Sequence, residues 1–180
     1  MLGCAEYCAY YDWTFEYLRK LGGEEAVADY WLEAIYRDKH QYTRELFKAK
    51  GLAGMEEYWG HTLVEEEAGY VASRGRDYYR IDMFACPSLG LLLRRGRQYY
   101  HDYCQHCMAW VGPVLAECGF AADHEHNHCG QCYWEIRTLE KAGEPSSPGE
   151  ISGDQDVRLD EDWRKGHIDV FRKSKRIEVK

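Results

Sequence analysis

The chain lacks a basic surplus and lacks any long apolar run. Lys and Arg together number 23 against 31 Asp and Glu, so the formal net charge is −8. A chain of this sign has no broad basic face for the phosphates of nucleic acids or of anionic membranes. No apolar stretch approaches the ~18–20 residues needed to span a bilayer. We therefore expect neither a nucleic-acid partner nor a membrane partner.

The N-terminal sequence also lacks the features of a secretory signal peptide. The opening residues MLGCAEYCAYYDW contain no basic start, no apolar core and no small-residue cleavage site. We therefore predict a cytoplasmic protein. In that reducing compartment the eight cysteines are expected to be thiols, metal ligands or catalytic groups more often than disulfides.

Hydrophobic spacing predicts three helices in the first 75 residues. Apolar and aromatic residues recur at helical intervals over residues 5–21, and the two glycines at 22–23 interrupt that helix. A second helix follows to about Gly51, and a third spans about 54–73. The stripe of the first helix consists of Tyr7, Tyr10, Tyr11, Thr14, Tyr17, Leu18 and Leu21.

The pattern changes at Asp77 from helical spacing to alternation. Residues 78–85 alternate as a strand does, and Cys86-Pro87 ends that strand. A short leucine-rich helix then precedes a helix over about 98–118, which Gly112-Pro113 should kink or split. Two further strands, over about 120–128 and 132–139, form a hairpin.

These elements predict an α+β fold in which N-terminal helices precede a small antiparallel sheet with packed helices. A chain of 180 residues is large enough to bury one core, so we expect a single domain over 1–142. Within it, 5–75 is helical and 77–140 contains the sheet. Residues 143–156 are linker-like, rich in Pro, Ser and Gly. Residues 157–180 form a C-terminal tail or one extra element.

The stretch from His101 to Cys132 concentrates soft metal ligands. It holds five of the eight cysteines and five of the eight histidines. Its two CxxC pairs are separated by 21 residues, a spacing that fits a four-thiolate site for zinc or iron. The alternative is that several of these thiols are buried small apolar groups. The predicted thiolate ligands are Cys104, Cys107, Cys129 and Cys132.

Three alternating histidines add a second metal signal. His124, His126 and His128 would share one face of a strand, because side chains alternate with period two. We predict His124 and His126 as metal ligands; the alternative is a hydrated strand face. Zinc with three protein ligands and one open position lowers the pKa of its water to ~7, which makes a hydrolytic nucleophile.

Four residues are candidates for catalysis. Cys86 stands at a strand end before a proline, where a thiolate could attack an electrophilic carbon. Cys132 is the second candidate thiol. His101 and His128 are candidate general acids or bases, since imidazole titrates near neutral pH.

Residues 77–138 resemble the L-2-amino-thiazoline-4-carboxylic acid hydrolase family. The resemblance consists of a strand ending in Cys86-Pro87, a helix with Cys104 and Cys107, and a hairpin ending in Gly130-x-Cys132-x-Trp134-x-Ile136. Here Ser88 follows the proline where the family has an aromatic residue, and Tyr133 stands where the family has Asp. The closing motif is also similar to that of 4-vinyl-reductase-type ligand-binding domains.

This resemblance implies hydrolytic opening of a small ring, with Cys86, Cys107 and Cys132 as the matching cysteines. We therefore predict a hydrolase that opens a small sulfur/nitrogen heterocycle or cyclic amide. Its partner is a small-molecule substrate, and its cofactor, where a metal is used, is zinc or iron. The alternative is a non-enzymatic, zinc-stabilised ligand-binding or sensor domain. A thiol redox protein is the weaker alternative, because Cys104 lies inside a predicted helix.

Overall fold

The computed structural model describes residues 4–37, 40–142, 160–167 and 169–172. The predicted linker 143–156 and half of the predicted tail, 157–159, 168 and 173–180, lie outside the described residues. The helices are α1 (Cys4–Asp29), a π-helical segment (Tyr30–Arg37), α2 (Gln41–Lys50), α3 (Leu52–Glu65), α4 (Leu89–Arg94), α5 (Gln105–Glu117) and α6 (Glu161–His167). The strands are β1 (Gly69–Arg74), β2 (Tyr78–Ala85), β3 (Phe120–His126), β4 (Cys132–Thr138) and β5 (Asp169–Arg172).

The α+β prediction is confirmed. The five strands form one sheet in the order β1-β2-β4-β3-β5, and every neighbouring pair is antiparallel. The first four helical elements precede the sheet, as expected. Within the described ranges, no helix is both long enough and apolar enough to cross a membrane.

The predicted third helix is wrong at its C-terminal end. It ends at Glu65, and residues 69–74 form the edge strand β1. Glu67 adopts a left-handed conformation with φ of 56°, and the Ala68 N–H donates to the Leu63 carbonyl at 2.9 Å. This is the Schellman arrangement that ends many helices, usually with glycine in the left-handed position. Because glutamate occupies it here, the sequence carries no recognisable stop signal.

One predicted break is confirmed, and two other predicted helices change. The second helix, expected to reach about Gly51, is divided into the π-helical segment and α2. The glycines at 22–23 do interrupt α1: Gly23 has φ of 72°, and Gly22 is also non-helical. The helix predicted from residue 98 begins only at Gln105, and it continues through Pro113 as one element. The residues before it, 101–104, form turns.

Two apolar clusters hold the structure together. The main core joins one face of the sheet to α2, α3 and α5, through residues such as Phe47, Met55, Val114, Ile81 and Ile136. A second core is aromatic and joins α1 to α4 and the turn before α5; its buried members are Phe15, Val27, Trp31, Leu89, Leu92, Tyr100 and Tyr103. The ends of β2 and β3 and the start of α5 lie where these two cores meet, since Cys86 packs against both.

Candidate metal centre

Cys104 occupies the N-terminal cap position of α5. It was predicted to lie well inside a helix, and that prediction is wrong because the helix starts one residue later. The N-terminus of a helix carries partial positive charge, so this position stabilises an anionic ligand. A thioredoxin-type CxxC also starts a helix, but it follows a strand, whereas here irregular turns precede Cys104.

His126 and His128 lie at the opposite side of the centre, at the end of β3. His126 is the last residue of the strand and is 2% exposed. His128 follows in a turn with φ of 54°, in the left-handed region that residues other than glycine rarely adopt. Their rings lie edge to face with centroids 4.7 Å apart.

The side chain of Asn127 holds this turn in place. It is 1% exposed, and its Oδ1 accepts hydrogen bonds from the backbone N–H groups of Cys129 at 2.9 Å and Gln131 at 3.2 Å. Its Nδ2 donates to Gln131 Oε1 at 2.6 Å. An asparagine that binds the backbone two residues on is a standard way to stabilise a turn. The position of His128 is therefore set by the residue before it.

Cys104, His126 and His128 form a group with the spacing of metal ligands. The Cys104 Sγ and one ring nitrogen from each histidine all lie within 4.8 Å of one another. In a tetrahedral zinc site, bond lengths of about 2.0–2.3 Å separate such ligand atoms by roughly 3.4–3.6 Å. A shift of about 1 Å would close the group on an ion. Nitrogen and sulfur donors of this kind suit zinc best.

The predicted ligand His124 lies beside this group and is not a member of it. Its Nδ1 donates to the Tyr133 carbonyl at 2.8 Å, and its ring stacks on Trp134 at a centroid distance of 4.3 Å. Its ring centroid is 5.4 Å from that of His126. The three histidines therefore form a row, in which His124 packs against the core and His126 and His128 approach Cys104.

The other cysteines of the two CxxC pairs are not in the group either. Cys132 is the register partner of His126 and packs against the main core, as Cys107 does. Cys129 is exposed. Burial raises the pKa of the Tyr99 phenol, and negative charge on Cys104 and Cys129 raises it further.

His106 is a buried imidazole that the sequence reasoning missed. It is 4% exposed among the rings of Phe15, Tyr103 and Trp110. Burial lowers its pKa to about 4, and the nearby His126 lowers it as well. Its Nδ1 donates to the Tyr103 carbonyl, so its Nε2 faces the Cys107 sulfur at 3.4 Å as an acceptor. Its position inside the first CxxC pair, between Cys104 and Cys107, is the sequence feature that would have indicated it.

Of the predicted catalytic residues, Cys86 is hydrogen-bonded to the turn that carries His128, whereas His101 contacts α1. The Cys86 N–H donates to the Gly130 carbonyl at 2.8 Å, which ties the end of β2 to that turn. Gly130 has φ of 84°, and a Cβ there would lie 3.2 Å from the Gly90 Cα, so only glycine fits. His101, in contrast, is exposed and faces α1, with its Nε2 3.8 Å from Glu24 Oε1.

Comparisons with known proteins add no relative. No family model, no curated protein and no solved structure matches this chain. The candidate site therefore depends on the geometry of its own residues.

Proposed function

We propose that the protein is a metal-dependent hydrolase of a small cyclic substrate, with Cys104, His126 and His128 as the ligands of a zinc ion. One observation carries the proposal: three soft donor atoms from α5 and the end of β3 lie within 4.8 Å of one another. Residues so distant in sequence come together only through the fold. Three protein ligands and an open fourth position are typical of catalytic zinc.

The residues around the ligands support a hydrolytic role. A zinc ion held there would supply Lewis acidity, which polarises a carbonyl and acidifies water. Tyr99 keeps its proton at neutral pH, because a phenol ordinarily loses its proton only near pH 10 and burial raises the pKa of this one. Its hydroxyl is therefore a hydrogen-bond donor for the negative charge that develops during ring opening.

Cys86 and Cys132 remain candidate thiols of the same pocket. Cys132 lies opposite His126 in the sheet, and Cys86 is bonded to the turn of His128 through Gly130. In the resemblance to the thiazoline hydrolases, these two cysteines match cysteines of that family. In this proposal they line the substrate side of the centre, and their substitution lowers the rate of ring opening more than it lowers zinc content.

The test is the metal content and cobalt spectrum of untagged protein. The wild type should bind about one zinc, and cobalt in its place should show a thiolate charge-transfer band. Cys104→Ser should lose that band, and His126→Ala and His128→Ala should each lose zinc. Cys118→Ser, a thiol near the Arg44 carbonyl, and His61→Ala, an exposed histidine, are matched controls that should keep it.

The activity assay uses 2-amino-thiazoline-4-carboxylate and measures the thiol released on ring opening. Zinc-loaded protein should be active, and the protein treated with a chelator should be inactive until zinc is restored. Zinc binding without any ring opening over a panel of thiazolines and cyclic amides would contradict the hydrolase and leave the metal site standing. Absence of zinc binding in the wild type would contradict both.

One observation favours the second candidate, a zinc-stabilised ligand-binding or sensor domain. Cys129 directly follows His128 in the turn held by Asn127, so in this candidate it would supply the fourth ligand. A closed site with two sulfurs and two nitrogens is structural. In that case Cys129→Ser should weaken zinc binding as strongly as Cys104→Ser, and chelation should unfold the protein. Retention of zinc by Cys129→Ser favours the hydrolase.

A further inference from the structure

One side of helix α1 exposes a row of large apolar side chains. The row is an aromatic stripe, which we define as Tyr7, Tyr10, Trp13, Tyr17 and Leu21. Their exposed fractions are 50%, 55%, 65%, 49% and 66%. Spacings of three and four residues place all five on one side of the helix. Trp13 and Tyr17 stack with ring planes 4° apart, so this part of the stripe is ordered by its own contacts.

The adjoining side of α1, which includes Phe15, is the one that packs against the rest of the protein. Phe15 is fully buried in the second core, and Tyr11 and Leu18 pack against the same core. The helix therefore has two apolar sides, and burial of one leaves the stripe facing outward. Scattered exposed apolar residues are ordinary, but a contiguous row of this size marks an interaction surface.

The stripe has the area of a protein interface. At about 200 Å² for a large side chain, its exposed fractions correspond to about 550 Å² of surface along a helix segment roughly 20 Å long. A symmetric pair of stripes would bury roughly 1,100 Å², which clears the ~1,000 Å² expected of a specific interface. Tyr and Trp are also the residues enriched in interface centres.

The order of residues in the stripe favours a second copy of this chain. If two α1 helices run antiparallel with Trp13 of each chain near the two-fold axis, Tyr10 opposes Tyr17 and Tyr7 opposes Leu21. For each pair, the midpoint of the two residue numbers lies between 13 and 14. One two-fold axis therefore serves all three pairs to within about one residue, or roughly 1.5 Å. A stripe with this regular spacing can therefore form an isologous contact, in which residue i meets residue j of the other copy and j meets i.

The charge of the helix argues against a membrane as the occupant. An interfacial helix carries Lys and Arg on its polar face to meet anionic lipid. Over residues 7–21 this helix carries two acids, Asp12 and Glu16, and two bases, Arg19 and Lys20, and Arg19 is paired with Glu16 at 3.0 Å, so it has no basic surplus. The whole chain carries a net charge of −8. Both facts disfavour an anionic surface and leave an apolar, protein-like contact.

We infer that the aromatic stripe of α1 is the interface of a homodimer, in which two α1 helices pack antiparallel about a two-fold axis near Trp13. The interface is independent of the metal centre, because it uses the outer side of α1. Its strength comes from apolar burial, while two chains of net charge −8 repel each other. Association should therefore increase with salt concentration.

Light scattering after gel filtration, together with sedimentation velocity, tests the interface. The wild type should have twice the mass of one chain at high concentration. Tyr10→Ser/Trp13→Ser/Tyr17→Ser should be monomeric with an unchanged circular dichroism spectrum, since all three side chains are exposed. Tyr42→Ser is the matched control: Tyr42 is an exposed tyrosine on α2, at 64%, and its loss should leave the dimer intact.

A charge pair tests the antiparallel arrangement itself. In Tyr10→Lys/Tyr17→Lys, two lysines oppose each other across the axis at both ends, so the dimer should dissociate. In Tyr10→Lys/Tyr17→Glu each lysine opposes a glutamate of the other copy, so the dimer should survive. A monomeric wild type, equal loss in both double variants, or binding of the stripe to vesicles in place of a second copy would overturn the proposal.

Discussion

The two faces of the sheet bury ionisable side chains in opposite ways. One face carries Arg80 paired with the carboxylates of Asp82 and Glu135, and beside them the buried carboxylates of Asp123 and Glu125. The other face packs against the helices and carries His124 and His126, imidazoles and not fixed charges, in a row with the thiol of Cys132. All of these except Cys132 are buried, and Cys132 is partly buried.

Hydrogen bonds hold the charged cluster around Arg80 together. Arg80 donates to Asp82 Oδ1 at 2.7 Å and to Glu135 Oε2 at 2.9 Å, and its guanidinium lies 4.6 Å from the Tyr133 ring centroid. Arg137 Nε donates to the other oxygen of Glu135 at 2.7 Å. Buried charges are tolerated when they are paired and hydrogen-bonded in this way.

The histidine face can be buried without a metal ion and can bind one after folding. Neutral imidazoles cost less to bury than charges, and they bind zinc once the ion is available. Burial by itself therefore does not indicate function. A paired ionic cluster serves the fold, whereas soft donors that converge with a thiol from another element indicate a binding site.

The largest expected effect is on the charged face. Arg80→Ala leaves the carboxylates of Asp82 and Glu135 buried without their shared cation, so it should lower the free energy of unfolding by about 3–5 kcal/mol. Urea unfolding followed by circular dichroism measures this loss.

The matched control is an exposed ion pair of the same chemistry. Arg74 donates to Glu56 at 2.6 Å, and both side chains are more than 40% exposed. Arg74→Ala should cost less than about 1 kcal/mol. Equal losses for the two substitutions would show that the buried network has no special weight.

Zinc should stabilise the protein through the histidine face alone. At a free zinc concentration 100 times the dissociation constant, the free energy of unfolding should rise by about 2.7 kcal/mol. His126→Ala should abolish this increment. Arg80→Ala should retain it in full, because distant sites contribute additively. Loss of the increment in Arg80→Ala would show that the two faces are coupled.

Asn127→Ala should weaken zinc binding without removing a ligand. The substitution deletes the acceptor that holds the turn of His128, and loss of such a supporting contact typically costs 10–100-fold in affinity. Competition with a chromophoric chelator measures the change. Asn127→Asp keeps the oxygen acceptor for the N–H groups of Cys129 and Gln131, so it should retain most of the affinity; an equal loss would contradict this explanation.

His40 lies outside both faces and shows how a partly buried histidine makes stability depend on pH. Partial burial lowers its pKa from 6.5, and the charge of Arg44 lowers it further. As the pH falls, His40 is protonated in the unfolded chain at a higher pH than in the folded chain. The free energy of unfolding therefore decreases below about pH 6.5, by at most ~1.4 kcal/mol per pH unit.

His40→Gln should remove this contribution and reduce the slope of stability against pH below about 6.5, while the buried His106, with a pKa of about 4, keeps its own contribution to the slope. Urea unfolding at several pH values measures the slope. His61→Gln is the control at an exposed histidine, and it should leave the slope unchanged. The effect is the smallest of the four, because one partly buried group is involved.

Much of the architecture was predictable from local patterns. Alternation identified β2, β3 and β4, helical spacing identified the N-terminal helices, and two glycines marked the break in α1. The edge strand β1 was missed because Glu67 ends α3 in a conformation that usually requires glycine. Helical spacing also found four residues of the aromatic stripe but missed Trp13, and spacing cannot say which of two apolar sides of a helix is buried.

The sequence by itself determined the chemistry of the candidate centre: the two CxxC pairs, the three alternating histidines and Cys86 beside a proline. Only the tertiary structure decided which of these donors meet. Cys104 joins His126 and His128, and not Cys107, because α5 begins next to the end of β3 and the turn around Asn127 carries His128 toward it. Spacing along a chain fixes local neighbours, whereas a site between elements depends on how their faces pack.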